Sequence, residues 1–119
     1  MKITMPIPPS VNSLYRAFRQ GRSVRTIMSK EGRAWYAAAI ESVKIPGHLP
    51  LSGRLSVAID LFFPTARRCD IDNRTKGALD VLTKARIWED DSQIDAILVT
   101  RTGIDRDNPR AEVYITEIA

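Results

Sequence analysis

Residues 55–63, Leu-Ser-Val-Ala-Ile-Asp-Leu-Phe-Phe, carry the clearest structural signal in the chain. The odd-numbered residues are all large and apolar, whereas most of the even-numbered ones are small or polar. Strict alternation over this length predicts a β-strand with one buried face. Pro64 follows directly and ends the pattern, because proline cannot donate to a ladder of strand hydrogen bonds. We expect this strand to be central in the sheet.

Two elements precede this strand. Residues 2–7 alternate weakly and predict a short first strand. Residues 8–27 predict a loop or a loose hairpin that turns at Gln20-Gly21. Ser29 has the side chain of an N-cap, and apolar residues at i, i+4 spacing predict a helix that reaches about Val43. The predicted buried stripe of this helix comprises Trp35, Tyr36, Ala39, Ile40 and Val43.

A second helix and two further strands follow the central strand. Asp72 or Asn73 is expected to cap a helix reaching about Arg86, which buries Ala78, Leu79, Leu82 and Ala85. Residues 94–101 and 111–118 read as strands joined by a polar connector. This order predicts one α/β (α+β) domain over residues 1–119, in which two main helices pack on a mixed β-sheet.

The composition is that of a soluble globular protein, with 44% hydrophobic and 27% charged residues among 119. The single cysteine excludes an intramolecular disulfide, and no apolar run approaches the roughly 20 residues of a membrane span. We therefore expect a cytoplasmic protein with no membrane partner. The net charge is +4, and residues 1–54 carry nine basic and two acidic side chains whereas residues 55–119 carry nine basic and twelve acidic ones. This asymmetry suits a bound polyanion, or simply a solvated basic loop.

The loop and helix start after the central strand concentrate charge of both signs. The stretch reads Arg67-Arg68-Cys69-Asp70-Ile71-Asp72-Asn73-Arg74-Thr75-Lys76. Asp70 and Asp72 point to the same side of an extended segment. Like charges about 4 Å apart cost on the order of 4 kcal/mol at an effective dielectric near 20. A hard divalent cation bound through carboxylate oxygens is the plainest relief of this repulsion.

A metal site here needs further acids from elsewhere in the chain. Asp90 and Asp91 lie beyond the far end of the predicted helix, so the fold must return them to Asp70 and Asp72. If it does, the carboxylates make an oxygen site of the Mg2+ type, with Asp90 the less supported ligand. Lys76 is then placed to neutralise negative charge that develops on a phosphate during phosphodiester hydrolysis. Flanking phosphates are expected to contact Arg67, Arg68 and Arg74.

Each of these residues also has an ordinary structural interpretation. Asp72 can be only a helix cap, Lys76 a solvated side chain, and Asp90-Asp91 turn formers. Trp88 is expected in the core rather than under a nucleotide base. Cys69 has no histidine near it in sequence and is expected to be a bystander. Aromatic side chains of the arginine-rich segment can either stack on bases or pack that segment down.

Four ordered motifs give the chain a resemblance to a known family. The first is Pro8-Pro9-Ser10-Val11-Asn12-Ser13-Leu14-Tyr15-Arg16. The second is the basic run with Asp70-Ile71-Asp72-Asn73 and Lys76. The third is Asp80-Val81-Leu82-Thr83-Lys84-Ala85, and the fourth is Trp88-Glu89-Asp90-Asp91-Ser92-Gln93. Together they resemble the RusA-type Holliday junction resolvases, which are small endonucleases of bacteria and their phages.

This resemblance implies a fold, an activity and an assembly. It implies a homodimer that binds four-way junction DNA and cuts two opposing strands with Mg2+ or Mn2+. The catalytic acids carry over to Asp70, Asp72 and Asp91, and the essential lysine to Lys76. The residue before the first aspartate is commonly basic in the family, whereas here it is Cys69. The arginines expected to contact the DNA are Arg16, Arg19, Arg22, Arg25, Arg67, Arg68 and Arg74.

Two other functions compete with this interpretation. A catalytically inactive protein, such as a prophage relic, could bind junction DNA through its basic surface alone. The intact acidic positions and Lys76 argue against this alternative. An enzyme acting on a nucleotide or a nucleotide sugar is disfavoured because the chain has no recognisable glycine-rich phosphate loop.

Overall fold

Strand β4 is an interior strand of the main sheet, and the other strands of that sheet and both main helices pack around it. The computed structural model describes residues 1–118. Its elements are β1 (Lys2–Pro6), α1 (Val11–Leu14), β2 (Tyr15–Gln20), β3 (Ser23–Met28), α2 (Lys30–Val43), β4 (Leu55–Phe63), α3 (Thr75–Lys84), β5 (Ile94–Ile104) and β6 (Arg110–Glu117). Short 3-10 turns at Asp72–Arg74 and Asp91–Gln93 precede α3 and β5.

The main sheet is mixed, as the order of elements predicted. Its strand order is β1-β6-β4-β5, with β4 parallel to β5 and antiparallel to β6. The link from β4 to β5 passes through α3, which is the kind of crossover that parallel neighbours require. The result is one α+β domain.

One face of the sheet carries both main helices. Every odd-numbered residue of β4 is buried, which confirms the predicted alternation. Helix α2 contributes buried Ala39 and Val43, and α3 contributes Ala78, Val81 and Leu82. Trp35, Tyr36 and Ile40 are only partly buried and pack at the margin of this core. The core therefore consists of one apolar sheet face and two helical stripes.

Helix α2 begins as its sequence predicted. Ser29 accepts a hydrogen bond from the Gly32 backbone N–H at 2.9 Å, so it is the N-cap. Gly32 allows a close approach of α1, because a Cβ there would lie 2.4 Å from the Leu14 carbonyl oxygen. The Ser29 hydroxyl also donates to the Ser13 carbonyl oxygen at 2.5 Å. These contacts fix the N-terminal segment against α2.

The arginine-rich segment is a hairpin, which is one of the two predicted alternatives, and it turns directly after Gln20. Strands β2 and β3 pair antiparallel from Tyr15–Met28 to Gln20–Ser23, and Gly21 at the turn has φ +62°. Short helix α1 precedes the hairpin and was not predicted; Ser10 caps it. Nearly every side chain of the hairpin is exposed, so the pattern of buried residues that marks a strand in sequence is missing here.

The predicted cap of the second main helix is wrong. Neither Asp72 nor Asn73 accepts a capping hydrogen bond, since a 3-10 turn occupies these positions and leads into α3. The helix also ends at Lys84, two residues before the expected Arg86. Arg86 has φ +62° and terminates the helix in the left-handed conformation. The carboxylate of Asp72 is therefore free of the capping role that was its ordinary explanation.

Strand β5 forms a long edge of the sheet. It extends to Ile104, beyond the predicted end at residue 101, and the connector to β6 is correspondingly short. Ile97, Leu98 and Ile104 are 44%, 65% and 59% exposed. Strand β1 forms the other edge and is only five residues long. Within residues 1–118, no helix has the length and apolar content to cross a bilayer.

Buried Gln93 fixes the segment that leads into β5. Its side-chain oxygen accepts hydrogen bonds from the backbone N–H groups of Glu89 and Asp90, each at 2.8 Å. Its amide nitrogen donates to the carbonyl oxygens of Leu51 and Gly53, also at 2.8 Å. The amide thus joins the turn that carries Asp91 to the chain just before β4. All four polar partners are satisfied by one side chain, which is 7% exposed.

We predict that Gln93→Leu destabilises the fold by about 2–5 kcal/mol, because it leaves buried donors and acceptors unpaired. Denaturant unfolding followed by circular dichroism measures this loss. Gln20→Leu, on the exposed hairpin, is the matched control and should change the free energy of unfolding by less than about 0.5 kcal/mol. Equal stability of the Gln93 variant and the wild type would contradict the role assigned to this amide.

Candidate active site

The loop that carries Asp70 is held by an arginine from β5. Arg101 donates from its guanidinium to the carbonyl oxygen of Cys69 and lies 3.6 Å from the Cys69 sulfur. The same guanidinium lies over the ring of Phe63, 4.8 Å from its centroid. Phe63 is the last residue of β4, so the loop is anchored where it leaves the sheet. Sequence reasoning missed Arg101, because nothing local marks an arginine on a strand as a loop anchor.

A second arginine anchors the turn that carries Asp72. The Arg74 guanidinium donates to the Pro8 carbonyl oxygen at 2.8 Å and lies 5.3 Å from the Phe63 ring centroid. These contacts bring the first sequence motif against the second. Arg74 is half-buried, so the contacts that the structure gives it are internal. Its expected contact with DNA stays a prediction.

Lys76 lies in the first turn of α3 with two close neighbours. Its ammonium nitrogen is 3.1 Å from a carboxylate oxygen of Asp80 and 5.8 Å from the Tyr15 ring centroid. The hydrogen bond to Asp80 raises the pKa of Lys76, and the charges of Asp80, Tyr15 and Asp91 act in the same direction. Lys76 is therefore held protonated. Asp80 was not among the predicted site residues, although its i, i+4 spacing from Lys76 was a signal for this pair.

Asp91 lies on the side of α3 that carries Asp80. The two carboxylates line one cavity of about 560 Å³ together with Tyr36 and Thr83. Tyr36 is tied to the same helix, since its hydroxyl donates to the Asp80 carbonyl oxygen at 3.3 Å. The electrostatic influence of Asp91 on the pKa of Lys76 is consistent with this placement. Asp91 and Lys76 thus share one side of the molecule.

Asp90 has a structural role. Its carboxylate accepts a hydrogen bond from the Ser92 backbone N–H at 3.0 Å and caps the 3-10 turn. Hydrogen bonding by Ser92 lowers the pKa of Asp90. Because this carboxylate already serves as a cap, Asp91 is the freer of the two acids. Trp88 is fully buried and donates to the Thr83 hydroxyl at 2.7 Å, which confirms it as a core residue.

The three predicted catalytic acids do not converge within a single chain. Among residues 1–118, no three side chains of His, Cys, Asp or Glu form a group that could hold a metal ion. The topology gives the reason: Asp70 follows the C-terminal end of β4, whereas Asp91 precedes the N-terminal end of β5. Since these strands are parallel and adjacent, the two acids belong to segments at opposite ends of the strands.

The chemistry of these acids nevertheless suits a hard divalent ion. Asp70, Asp72 and Asp91 are all exposed. In the part of the chain that the structure describes, no group donates a hydrogen bond to the carboxylate of any of the three, and none of them forms an ion pair. Free carboxylate oxygens are the ligands that Mg2+ prefers in proteins. The donor set therefore fits Mg2+ in type, although one chain does not bring the three together.

The predicted DNA-binding arginines form two groups. Arg67 and Arg68 are exposed and line a cavity of about 460 Å³ together with Asp70. The second group lies on the hairpin, where the register puts Arg16 and Arg25 on one face with Phe18. Arg19 lies on the other face and Arg22 at the turn, so the four hairpin arginines do not form a single surface. Phe18 is 41% exposed, so it is not packed down onto the rest of the domain.

Comparisons with known proteins agree with this outline. The model of the family "Endodeoxyribonuclease RusA" matches residues 6–116. The "Crossover junction endodeoxyribonuclease RusA" of Escherichia coli K12 is 36% identical over 119 residues, which covers 98% of this chain and 93% of the relative. The protein of the same name from Enterobacteria phage 82 is 35% identical over 117 residues, with the same coverage. The chain therefore belongs to the RusA endodeoxyribonuclease family.

Proposed function

We propose that this protein is a Mg2+-dependent, structure-selective endodeoxyribonuclease that resolves four-way DNA junctions. It acts in recombination and repair, in the cytoplasm on nucleoid DNA, and Mn2+ can replace Mg2+. One observation supports this proposal above the others. Asp70 and Asp72 are exposed and unpaired, and they lie on a segment that arginine side chains anchor in a chain of the RusA family. The names of the relatives, which act on crossover junctions, support the choice of substrate.

The chemistry is phosphodiester hydrolysis without a protein nucleophile. Asp70, Asp72 and Asp91 would hold the metal, which when bound orients a water and neutralises the phosphoryl oxygens. Lys76 supplies positive charge to the phosphate that is cut, and Asp80 keeps its ammonium protonated and oriented. Arg67 and Arg68 bind backbone phosphate that flanks the reacting phosphate. A water therefore displaces the 3′ or 5′ oxygen while the protein positions the strand.

We further propose that the active form is a homodimer. Paired cuts in opposing strands require two sites related by two-fold symmetry. The long β5 edge, with apolar Leu98 exposed, offers a surface that a second copy can cover. Because Asp91 is apart from Asp70 and Asp72 within one chain, we infer that the complete metal site forms between protomers. Asp91 of the partner subunit would then complete the pair of acids on the anchored segment.

Asp70→Asn should reduce cleavage of a synthetic four-way junction by about 1,000-fold or more, because a metal ligand contributes several kcal/mol to the transition state. The variant should still bind the junction, since binding depends on the arginines. Gel assays with and without Mg2+ measure both properties. Asn108→Ala, an exposed substitution in the β5–β6 connector, is the control and should cut normally. Junction binding by the wild type without any Mg2+-dependent cleavage would instead favour a catalytically inactive binding protein.

The composite site predicts complementation between two inactive variants. Asp70→Asn and Asp91→Asn chains, mixed and refolded together, should form heterodimers with one defective and one intact site. These dimers should nick the junction in one strand. A mixture of Asp70→Asn with Asp72→Asn should stay inactive, because each of the two sites in the heterodimer then lacks one acid.

Subunit exchange needs its own positive control. Heterodimers of wild-type and Asp70→Asn chains, isolated through a different tag on each chain so that wild-type homodimers are removed, should nick, since they retain one intact site under either arrangement. If these heterodimers nick while Asp70→Asn/Asp91→Asn heterodimers isolated in the same way do not, each site lies within one chain and the composite arrangement is wrong.

A further inference from the structure

A cavity lined by three arginines lies between the loop after β4 and the C-terminal end of β5. It measures about 570 Å³, and its lining includes Arg67, Arg68, Arg101, Thr65 and Thr102. No acidic side chain contributes to this lining. None of the three arginines forms an ion pair with any residue in the described part of the chain. The cavity therefore concentrates positive charge without internal compensation.

Arg101 distinguishes this cavity from a mere cluster of exposed loop arginines. Its guanidinium is fixed by stacking on Phe63 and by donating to the Cys69 carbonyl oxygen. A guanidinium has five N–H donors, so these contacts leave others free to face an anion. A guanidinium that is already ordered loses less conformational entropy when it binds a phosphate than a freely moving side chain does. Arg101 is thus a preorganised anion donor.

The cavity is next to the acid that the proposed function places in the reaction. Arg67 and Arg68 line both this cavity and the adjoining one that contains Asp70. Arg101 binds the residue immediately before Asp70. An anion in the arginine cavity would therefore lie next to the loop that carries the Asp70 carboxylate. A DNA strand supplies phosphates in a row along its backbone, so one phosphate can lie in this cavity while a neighbouring one lies near Asp70.

We propose that Arg101 binds a backbone phosphate of the DNA strand that is cut, next to the reacting phosphate, in the cavity that it shares with Arg67 and Arg68. Arg101 then has two tasks, since it also positions the Cys69-Asp70 segment. This assignment rests on the proposed function for the identity of the strand. The bound group itself, a phosphodiester anion, follows from the charge and donors of the cavity.

The salt dependence of junction binding tests this assignment. The affinity for a synthetic four-way junction is measured over a range of KCl concentrations. Ca2+ replaces Mg2+ in these measurements, so that cleavage does not interfere. Each phosphate contact contributes about 0.9 to the slope of log Kd against log salt. Arg101→Gln should lower this slope by about one and weaken binding at low salt, whereas Arg101→Lys should retain most of the slope.

Arg110→Gln is the matched control. Arg110 also stacks on a phenylalanine, 4.0 Å from the Phe62 ring centroid, and pairs with Asp105 at 2.7 Å. Phe62 and Phe63 are consecutive strand residues and face opposite sides of the sheet. The control therefore removes similar contacts away from the cavity and should leave the slope unchanged. A folded Arg101→Gln variant with the wild-type slope would overturn the proposal.

A second variant keeps the test decisive if Arg101→Gln fails to fold. Arg68→Gln changes an exposed loop residue of the same cavity and should also lower the slope by about one. An unchanged slope in that variant would overturn the cavity as a phosphate site. Because the assay measures binding alone, it separates this inference from the proposed nuclease activity. A wild type that binds but never cuts would refute the activity and leave the phosphate site supported.

Discussion

The contacts of two guanidinium groups with Phe63 determine where the candidate site lies. Arg74 comes from the turn before α3 and Arg101 from β5, and both lie over this ring at the end of β4. Each cation–π contact contributes about 0.5–2 kcal/mol, depending on how far the pair is shielded from water. Their hydrogen bonds to Pro8 and Cys69 extend the effect to the N-terminal segment and to the loop. These contacts hold the exposed, charged loop in one conformation at the end of β4.

Local patterns in the sequence predicted the elements that bury a regular face. The alternation of residues 55–63 and the Ser29 cap both led to the observed β4 and α2, because these signals come from neighbours in sequence. The contacts that shape the site are of another kind. Arg101 and Cys69 are 32 residues apart, and Gln93 reaches 42 residues back to Leu51. The periodic pattern of apolar residues does not indicate pairs that are so far apart in sequence. The anchors of the loop and of the turn were therefore not predictable from the sequence.

The separation of the acids follows from the same topology that makes the sheet mixed. The sequence motifs single out Asp70, Asp72, Asp91 and Lys76 as candidate site residues, and Lys76 has an acidic partner that fixes its charge. The metal site requires the fold to return Asp91 to Asp70 and Asp72, and within residues 1–118 a single chain does not do so. Parallel β4 and β5 place the residues that follow β4 and those that precede β5 at opposite ends of the strands. Mutual repulsion gives the carboxylates no reason to approach one another without a cation. In the proposed dimer a second copy of the chain would bring the acids together, and the exposed β5 edge is a surface that such a copy could cover.

In the proposed site, Asp70, Asp72 and Asp91 hold one divalent cation beside Lys76. Anomalous diffraction from crystals of the wild-type protein grown with Mn2+ is the decisive measurement, since the ion can be located without reference to activity. We expect an anomalous peak within about 2.0–2.3 Å of carboxylate oxygens of Asp70 and Asp72, with an Asp91 carboxylate from the partner subunit completing the site. Mn2+ bound only at other residues, or no bound ion at saturating Mn2+, would contradict it.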